Sequence, residues 1–118
     1  MPQYMLLIYG DPADAPGPEE QEAQYAEWLN YTNSLVASGA LVSGAPLEGG
    51  ESAKTVRVRD GETILSDGPF ADTKEVLGGF YVVNAATPED AIALTERMPN
   101  IDHNTVEVRP VVEFQASG

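Results

Sequence analysis

The sequence predicts an α+β domain in which two helices pack on one face of an antiparallel sheet. Three observations lead to this prediction. Short strand-like runs alternate with two segments of helical periodicity, clusters of Gly and Pro separate the runs, and an Asp-Gly pair joins two alternating segments. The length of 118 residues fits a single domain, 1–118, with its own hydrophobic core.

The first third of the chain is predicted to form a strand, a helix and a second strand. Residues 4–9 are apolar and rich in strand formers, and a Gly-Asp-Pro turn ends the run. Pro18 fits the first turn of a helix predicted over residues 19–38, and Gly39 can take the left-handed conformation that ends it. Residues 40–45 form a weaker second strand. Six helical residues share one face and are predicted to point to the core: Tyr25, Trp28, Leu29, Thr32, Leu35 and Val36.

A β-hairpin is predicted next, at the centre of the chain. Residues 54–59 alternate between polar and apolar types, residues 62–66 follow, and Asp60-Gly61 between them is a strong hairpin signal. Residues 67–77 are then predicted to be a loop, and residues 78–84 a central strand.

A second helix and a last strand complete the predicted order. Thr87 is a good N-cap, Pro88 fits the first helical position, and Pro99 ends the helix. Its predicted inner stripe comprises Ala91, Leu94, Thr95 and Met98. Residues 105–114 are the last predicted strand, with Val106 and Val108 inward, and residues 115–118 are expected to fray. Two split β-α-β halves with an inserted hairpin predict a ferredoxin-like sandwich.

Both faces of the predicted central strands are apolar. In the first strand, Tyr4 and Leu6 lie on one side, whereas Met5 and Leu7 lie on the other. An antiparallel sheet with one face in water should alternate apolar and polar residues. Because two helices can cover only one face, we predict that a second copy of the chain covers the other, in a homodimer formed through the sheet.

Charge and composition disfavour several classes of function. The net charge of −13, from 19 acidic and 6 basic residues, opposes binding to nucleic acid or to anionic membranes. There is no cysteine for a thiolate metal site, and no apolar run approaches the roughly 20 residues that span a bilayer. The apolar N-terminal stretch lacks the basic flank of a signal peptide. Phosphate-loop and dinucleotide-binding motifs are absent. We expect a cytoplasmic protein without metal or cofactor.

Four blocks of sequence, taken in order, are similar to a known family. They are Tyr-Met-Leu-Leu-Ile-Tyr-Gly at 4–10, Asp-Gly-Pro-Phe-Ala-Asp-Thr-Lys-Glu at 67–75, Gly-Gly-Phe-Tyr at 78–81 and Val-Glu-Val-Arg-Pro-Val at 106–111. Together they resemble the YCII-related family, in its DGPF-domain branch. The resemblance implies a ferredoxin-like fold of the dimeric α/β-barrel type. It implies no established activity, although some members are fused to sigma-factor-like regions, which implies a link to transcription initiation.

Some relatives carry a His and an Asp to which enzymatic chemistry has been attributed. The matching positions here, on the first and second helices, hold Trp28 and Met98, so this pair is not carried over. The only histidine is His103, in the loop before the last strand. Because one His offers a single metal ligand, a solvated loop residue is the simpler interpretation.

The loop at 67–75 is the predicted binding segment. Gly68 and Pro69 stiffen it, and Phe70 is expected to anchor it by burying its ring. The candidate pocket residues are Asp67, Phe70, Lys74, Glu75 and Arg109. The simpler alternatives are an Asp that bonds its own turn, a solvated Lys-Glu pair and an Arg that pairs with acids of the sheet. Tyr9, Tyr31 and Tyr81 are either pocket or core residues.

Two functions compete at this point. One is binding or conversion of a small polar molecule in a cavity between sheet and helices. The other is a non-catalytic regulatory or interaction module, linked to transcription initiation through a protein partner. A pocket with convergent polar groups favours the first, and a filled core with an exposed apolar patch favours the second.

Overall fold

The computed structural model describes residues 1–113, and within them the chain forms an α+β fold with two helices and six strands. The helices are α1 (Pro18–Ala37) and α2 (Pro88–Glu96). The strands are β1 (Gln3–Gly10), β2 (Leu41–Pro46), β3 (Lys54–Arg59), β4 (Glu62–Asp67), β5 (Val76–Asn84) and β6 (Thr105–Pro110). Four of them make an antiparallel sheet in the order β2-β5-β1-β6, and β3 and β4 form a separate hairpin. This order is consistent with the predicted ferredoxin-like α+β arrangement.

The core lies between the helices and one face of the sheet. At the centre of the sheet, Leu6 of β1 is opposite Tyr81 of β5 and Val108 of β6. Leu6 and Val83 are fully buried there, and Leu35 of α1 packs in the same cluster. The buried apolar residues are Tyr4, Leu6, Tyr31, Leu35, Val83, Ala85, Ala91 and Met98. The predicted inward position of Val106 and Val108 is confirmed, since both pack against this cluster.

Helix α1 buries a narrower face than its sequence predicts. Tyr31 and Leu35 are buried, and Trp28 and Thr32 are partly buried. The prediction that Tyr25, Leu29 and Val36 point to the core is wrong, because about half or more of each side chain is exposed. The sheet reaches only one side of the helix, so the neighbouring apolar residues remain outside the contact.

The predicted start of α2 and the predicted stop after α1 are confirmed, whereas α2 ends at Glu96, before the Pro99 that was expected to end it. The Thr87 hydroxyl accepts a hydrogen bond of 3.1 Å from the Asp90 N–H, as an N-cap does, and Pro88 is the first helical residue. Gly39 follows α1 with a φ of 78°. Ala91 and Thr95 of the predicted inner stripe are buried in α2, Met98 is buried just after the helix, and Leu94 packs against the same core.

Two strand boundaries differ from the predictions by two residues or more. Strand β5 begins at Val76, so the predicted loop extends two residues too far at its C-terminal end. The reason is a bulge: Ile8 pairs with Gly79 and Tyr9 with Leu77, which leaves Gly78 as an extra residue in a strand that continues past it. The last strand ends at Pro110 rather than at residue 114. Residue 114 and the tail at 115–118 lie outside the described residues.

The hairpin arm, as we call residues 54–67, stands apart from the sheet. Its turn has positive φ angles at both Asp60 and Gly61, as the Asp-Gly signal predicts. Nearly every residue of the arm is exposed, including Val56, Val58 and Leu65. The radius of gyration is 16.5 Å, larger than the about 13–14 Å expected for a compact domain of this length.

The second face of the sheet is apolar and is not part of the core. We use the term second face for Met5, Leu7, Phe80 and Val82, which pair across β1 and β5. These four side chains are only half-buried, and among the described residues none belongs to the buried cluster or packs against it. Within residues 1–113, no helix combines the length and the apolar character needed to span a bilayer.

Candidate functional site

The main cleft of the structure opens at one end of the sheet. Strands β1 and β2 end there, and strand β5 begins there. The first half of α1 lies over these strand ends. The cleft has a volume of about 870 Å³, which is in the range of small-molecule sites. Its walls include Gly10 and Asp11 after β1, the turn at 46–51 after β2, and Val76 to Gly79 of β5.

Aromatic side chains form the inner wall of this cleft. The rings of Trp28 and Tyr81 stack with centroids 6.3 Å apart and an interplanar angle of 17°. Tyr31 lies behind them and meets both rings edge-to-face, at 5.8 Å from Trp28 and 5.6 Å from Tyr81. Such packed rings are rigid, so they provide a preformed apolar surface for a bound ring. Tyr25 and Leu29, the exposed neighbours on α1, extend this surface towards solvent.

A pair of hydroxyl groups supplies polar character beside the rings. Thr32 Oγ1 and the Tyr81 hydroxyl lie 2.6 Å apart and share a hydrogen bond in which either group can donate. Both residues line the cleft. A hydroxyl keeps acceptor capacity after donating, so this pair can also hydrogen-bond a polar group of a ligand.

Asp11 is the most enclosed charged group of the cleft. Its side chain is 14% exposed, and its Oδ1 accepts a hydrogen bond of 2.9 Å from the Ala13 N–H. Its Oδ2 lies 3.6 Å from the Lys74 ammonium. Glu48 and Glu51 add two further carboxylates to the cleft walls, and in the part of the chain that the structure describes no Lys, Arg or His lines it.

A smaller cleft of about 470 Å³ adjoins the first and shares Asp11, Ala15, Trp28 and Asn104 with it. His103 lines this second cleft, 3.7 Å from Asp102, with 69% of its side chain exposed. Within residues 1–113, no group of three or more His, Cys, Asp or Glu side chains is arranged to hold a metal ion.

The candidate residues predicted from sequence are spread around the cleft and not gathered in it. Asp67 ends β4, is 86% exposed and forms an ion pair with Lys54 across the hairpin arm. Arg109 of β6 is exposed and lies 3.8 Å from Glu107. Phe70 was predicted to anchor its loop by burial; this is wrong in the chain as described, since the ring is 74% exposed. It instead lies under the Arg57 guanidinium, 5.0 Å from the ring centroid.

Lys74 and Glu75 lie nearest the cleft among the predicted residues. Lys74 contacts Asp11, which lines the cleft, although the ammonium itself is exposed. Glu75 accepts a hydrogen bond of 3.2 Å from the Thr105 hydroxyl and directly precedes Val76, another lining residue. The loop at 67–75 therefore leads into the cleft wall, and its last two residues are at the rim.

The sequence analysis missed three residues that shape the cleft: Asp11, Trp28 as a lining residue, and Thr32. One feature of the sequence could have indicated the cleft. The apolar stripe of α1 is wider than one sheet contact requires, and the excess residues, Tyr25 and Leu29, line the cleft. Tyr31, considered for the pocket or the core, is a core residue whose hydroxyl donates a 2.8 Å hydrogen bond to the Leu94 carbonyl.

Tyr31 gives a pH-dependent prediction. The pKa of Tyr31 is raised to about 12, mainly by burial. The nearby Tyr81 also raises this pKa, by a smaller amount, and Arg97 lowers it. An unfolded tyrosine titrates near pH 10, about two units lower. The folded state therefore keeps the proton longer, and the stability that depends on it is present below pH 10 and lost as the pH rises towards 12. Urea unfolding of Tyr31→Phe should show a shallower loss over this interval. Tyr25→Phe, on the exposed side of the same helix, should behave like the unaltered protein.

Comparison with known proteins identifies the family. The family model of the YCII-related domain matches residues 2–115. An uncharacterised protein of Rhizobium meliloti (strain 1021) is 34% identical over 116 residues, which cover 95% of this chain and 94% of that protein. Both matches span nearly the whole sequence, and the strand and helix order agrees with the fold that the resemblance implied. The chain therefore belongs to the YCII-related family.

Proposed function

We propose that this protein binds a small molecule in the cleft between α1 and the end of the sheet. The main support is the cleft itself, which has a volume of about 870 Å³. The stacked Trp28 and Tyr81 rings form its inner wall, and the Thr32–Tyr81 hydroxyl pair lies beside them. Mostly apolar walls with a few convergent polar groups are typical of small-molecule sites. In this proposal Lys74 and Glu75 form the rim. Asp67, Phe70 and Arg109 are exposed and lie outside the cleft walls, so they are not part of this proposed site.

The Asp-Gly-Pro-Phe segment at 67–70 supports placing the protein in the DGPF-domain branch, and its charge and composition support a cytoplasmic location. Some relatives carry a histidine to which enzymatic chemistry has been attributed, and Trp28 occupies that position in this chain. We therefore propose that the protein binds its ligand without converting it.

We also propose that the protein is a homodimer joined through the second face of the sheet. The support is the apolar second face, which the two helices of the chain do not cover. Of the four residues of the second face, only Phe80 also lines the cleft, so the proposed interface and the cleft lie mostly on different residues. The arrangement would be of the dimeric α/β-barrel type that the family resemblance implies.

The alternative function, a regulatory module that acts through a protein partner, has one observation in its favour. The hairpin arm exposes Val56, Val58 and Leu65 on one side of a two-stranded ribbon. Isolated hairpins are marginally stable in water, so such a surface gains from a protein contact. A link to sigma factors rests on the family resemblance alone.

The proposed binding in the cleft can be tested by a substitution that partly fills the cleft with a larger side chain. Ala15 lines both clefts, and Ala13 is exposed in the same segment and lines neither. A fragment library screened by ligand-observed NMR should give binders whose amide shift changes map to cleft residues. We expect Ala15→Trp to weaken these binders at least about tenfold, a loss of about 1.4 kcal/mol, by excluding them sterically. Ala13→Trp should leave them within about twofold. Binders unaffected by Ala15→Trp, or none at all, would contradict the proposal.

A further inference from the structure

We propose that the cleft selects a planar, positively charged ligand, and that Lys74 competes with this ligand for Asp11. This inference rests on the proposed function, since it names the chemical class that the same cleft accepts. It departs from the sequence-based expectation, in which Lys74 would help to hold the ligand.

The charge distribution points to a cation. The three charged residues in the cleft walls are all acidic, namely Asp11, Glu48 and Glu51, and among the described residues no basic side chain lines the cleft. The adjoining smaller cleft adds two acids, Asp14 and Glu20, and one histidine, His103. The whole chain carries a net charge of −13, so the field at the cleft attracts cations and opposes anions.

The aromatic wall selects for a flat ligand. Trp28 and Tyr81 are held parallel by stacking, and Tyr31 fixes both from the side. Electron-rich aromatic rings attract cations through the ring quadrupole, and tryptophan does so most strongly. The rings and the Asp11 carboxylate line the same cleft, so its walls suit a planar cation such as an amidinium or an aromatic ammonium.

Asp11 is the carboxylate best placed to receive that charge. It is largely enclosed, so its interactions are less screened than those of surface acids. One oxygen is committed to the Ala13 N–H, and the other faces the Lys74 ammonium at 3.6 Å. Lys74 itself is 86% exposed on a flexible stem, so its pairing is weak and a ligand cation can replace it.

The experiment uses three probes with the same ring and different charge: benzamidinium, benzamide and benzoate, which are cationic, neutral and anionic at neutral pH. Trp28 is the single tryptophan and lines the cleft, so its fluorescence reports on binding there. Amide chemical shifts of the intact protein confirm the location. We expect benzamidinium to bind about tenfold more tightly than benzamide, with benzoate weakest, because only the cation forms an ion pair with Asp11, whereas benzamide offers the carboxylate a neutral N–H donor.

Two substitutions should have opposite effects on benzamidinium. Asp11→Asn keeps a side chain that can accept the Ala13 N–H and should weaken binding about tenfold. Lys74→Ala removes the competitor and should tighten binding about two- to fivefold. The matched controls are Asp67→Asn and Lys54→Ala, which make the same charge changes in the hairpin arm and should have little effect.

The outcomes separate this inference from the proposed function. If benzoate binds most tightly in the cleft, or if Lys74→Ala weakens benzamidinium, the charge selection is wrong and cleft binding stands. If no probe of any charge perturbs Trp28 or the cleft amides, both proposals fail. The proposed charge order, together with opposite effects of the two cleft variants, would support both.

Discussion

Replacing Leu7 by Asp is expected to convert the proposed dimer into monomers. Leu7 lies in the middle of the second face, where β1 places it opposite Phe80 on one side and Glu107 on the other. In a two-fold dimer each substitution occurs twice, so two unpaired carboxylates would be buried at the interface. Glu107 adds like-charge repulsion on β6, where its pairing with Arg109 suits the polar rim of an interface.

The expected effect on the dimer is large. Burying an unpaired charge costs about 3–5 kcal/mol, which corresponds to a dissociation constant raised by at least about a hundredfold. Sedimentation velocity or light scattering at micromolar concentration measures this change, and circular dichroism checks that the monomer is folded. Ile92→Asp is the matched control, because Ile92 is exposed on α2, away from the second face, and should leave the dimer intact. A folded Leu7→Asp dimer, or a monomeric unaltered protein, would refute the interface.

Leu35→Ala should cause a much larger loss of stability than the same truncation on the exposed side of α1. Leu35 is 1% exposed and packs in the cluster that joins α1 to the sheet. Truncating such a side chain removes its transfer free energy and leaves a cavity, and together these cost about 2–5 kcal/mol.

Urea unfolding at a fixed protein concentration measures this loss, since the stability of a dimer depends on concentration. Leu29→Ala provides the comparison on the same helix with the same change of side chain. Leu29 is about half exposed, so its truncation should cost less than about 1 kcal/mol. Equal losses at the two positions would mean that the helix packs differently.

Features set by neighbouring residues could be predicted from the sequence. The Asp60-Gly61 turn requires positive φ angles that Gly and Asp tolerate, and the structure has them at both residues. The Thr87 cap and Pro88 likewise act within one helical turn. These signals fixed the order of elements, and the order then implied the sheet topology that the structure has.

Features that depend on distant contacts could not be predicted in the same way. The Gly pair at 78–79 favours a break, yet β5 continues through it because β1 supplies a partner strand that accommodates a bulge. The apolar stripe of α1 shows which residues avoid water but not which of them the sheet covers. Tyr25 and Leu29 face the cleft, whereas Tyr31 and Leu35 pack in the core. The two pairs contain the same residue types, so the sequence alone does not distinguish them.

The candidate site was predicted only in part for a related reason. The loop at 67–75 has the most distinctive local sequence, and its C-terminal end does lead into the cleft wall at Val76. The cleft itself combines Asp11, Trp28 and Tyr81, which are far apart in the chain and come together only when α1 crosses the sheet end. None of these three residues belongs to a motif whose spacing indicates a site.

The hairpin arm has a consequence for how this chain tolerates changes in length. Lys54 pairs with Asp67 at the base of the arm, and the Gly68 N–H donates a hydrogen bond to the Ala53 carbonyl. The two ends of the arm are therefore only about one strand spacing apart where they join the rest of the domain. Residues added at the Asp60-Gly61 tip would extend a self-closed ribbon without altering the register between β2 and β5. Loop-closure entropy grows only slowly with length. The tip is therefore a permissive point for grafting a peptide or a tag while the cleft keeps its shape.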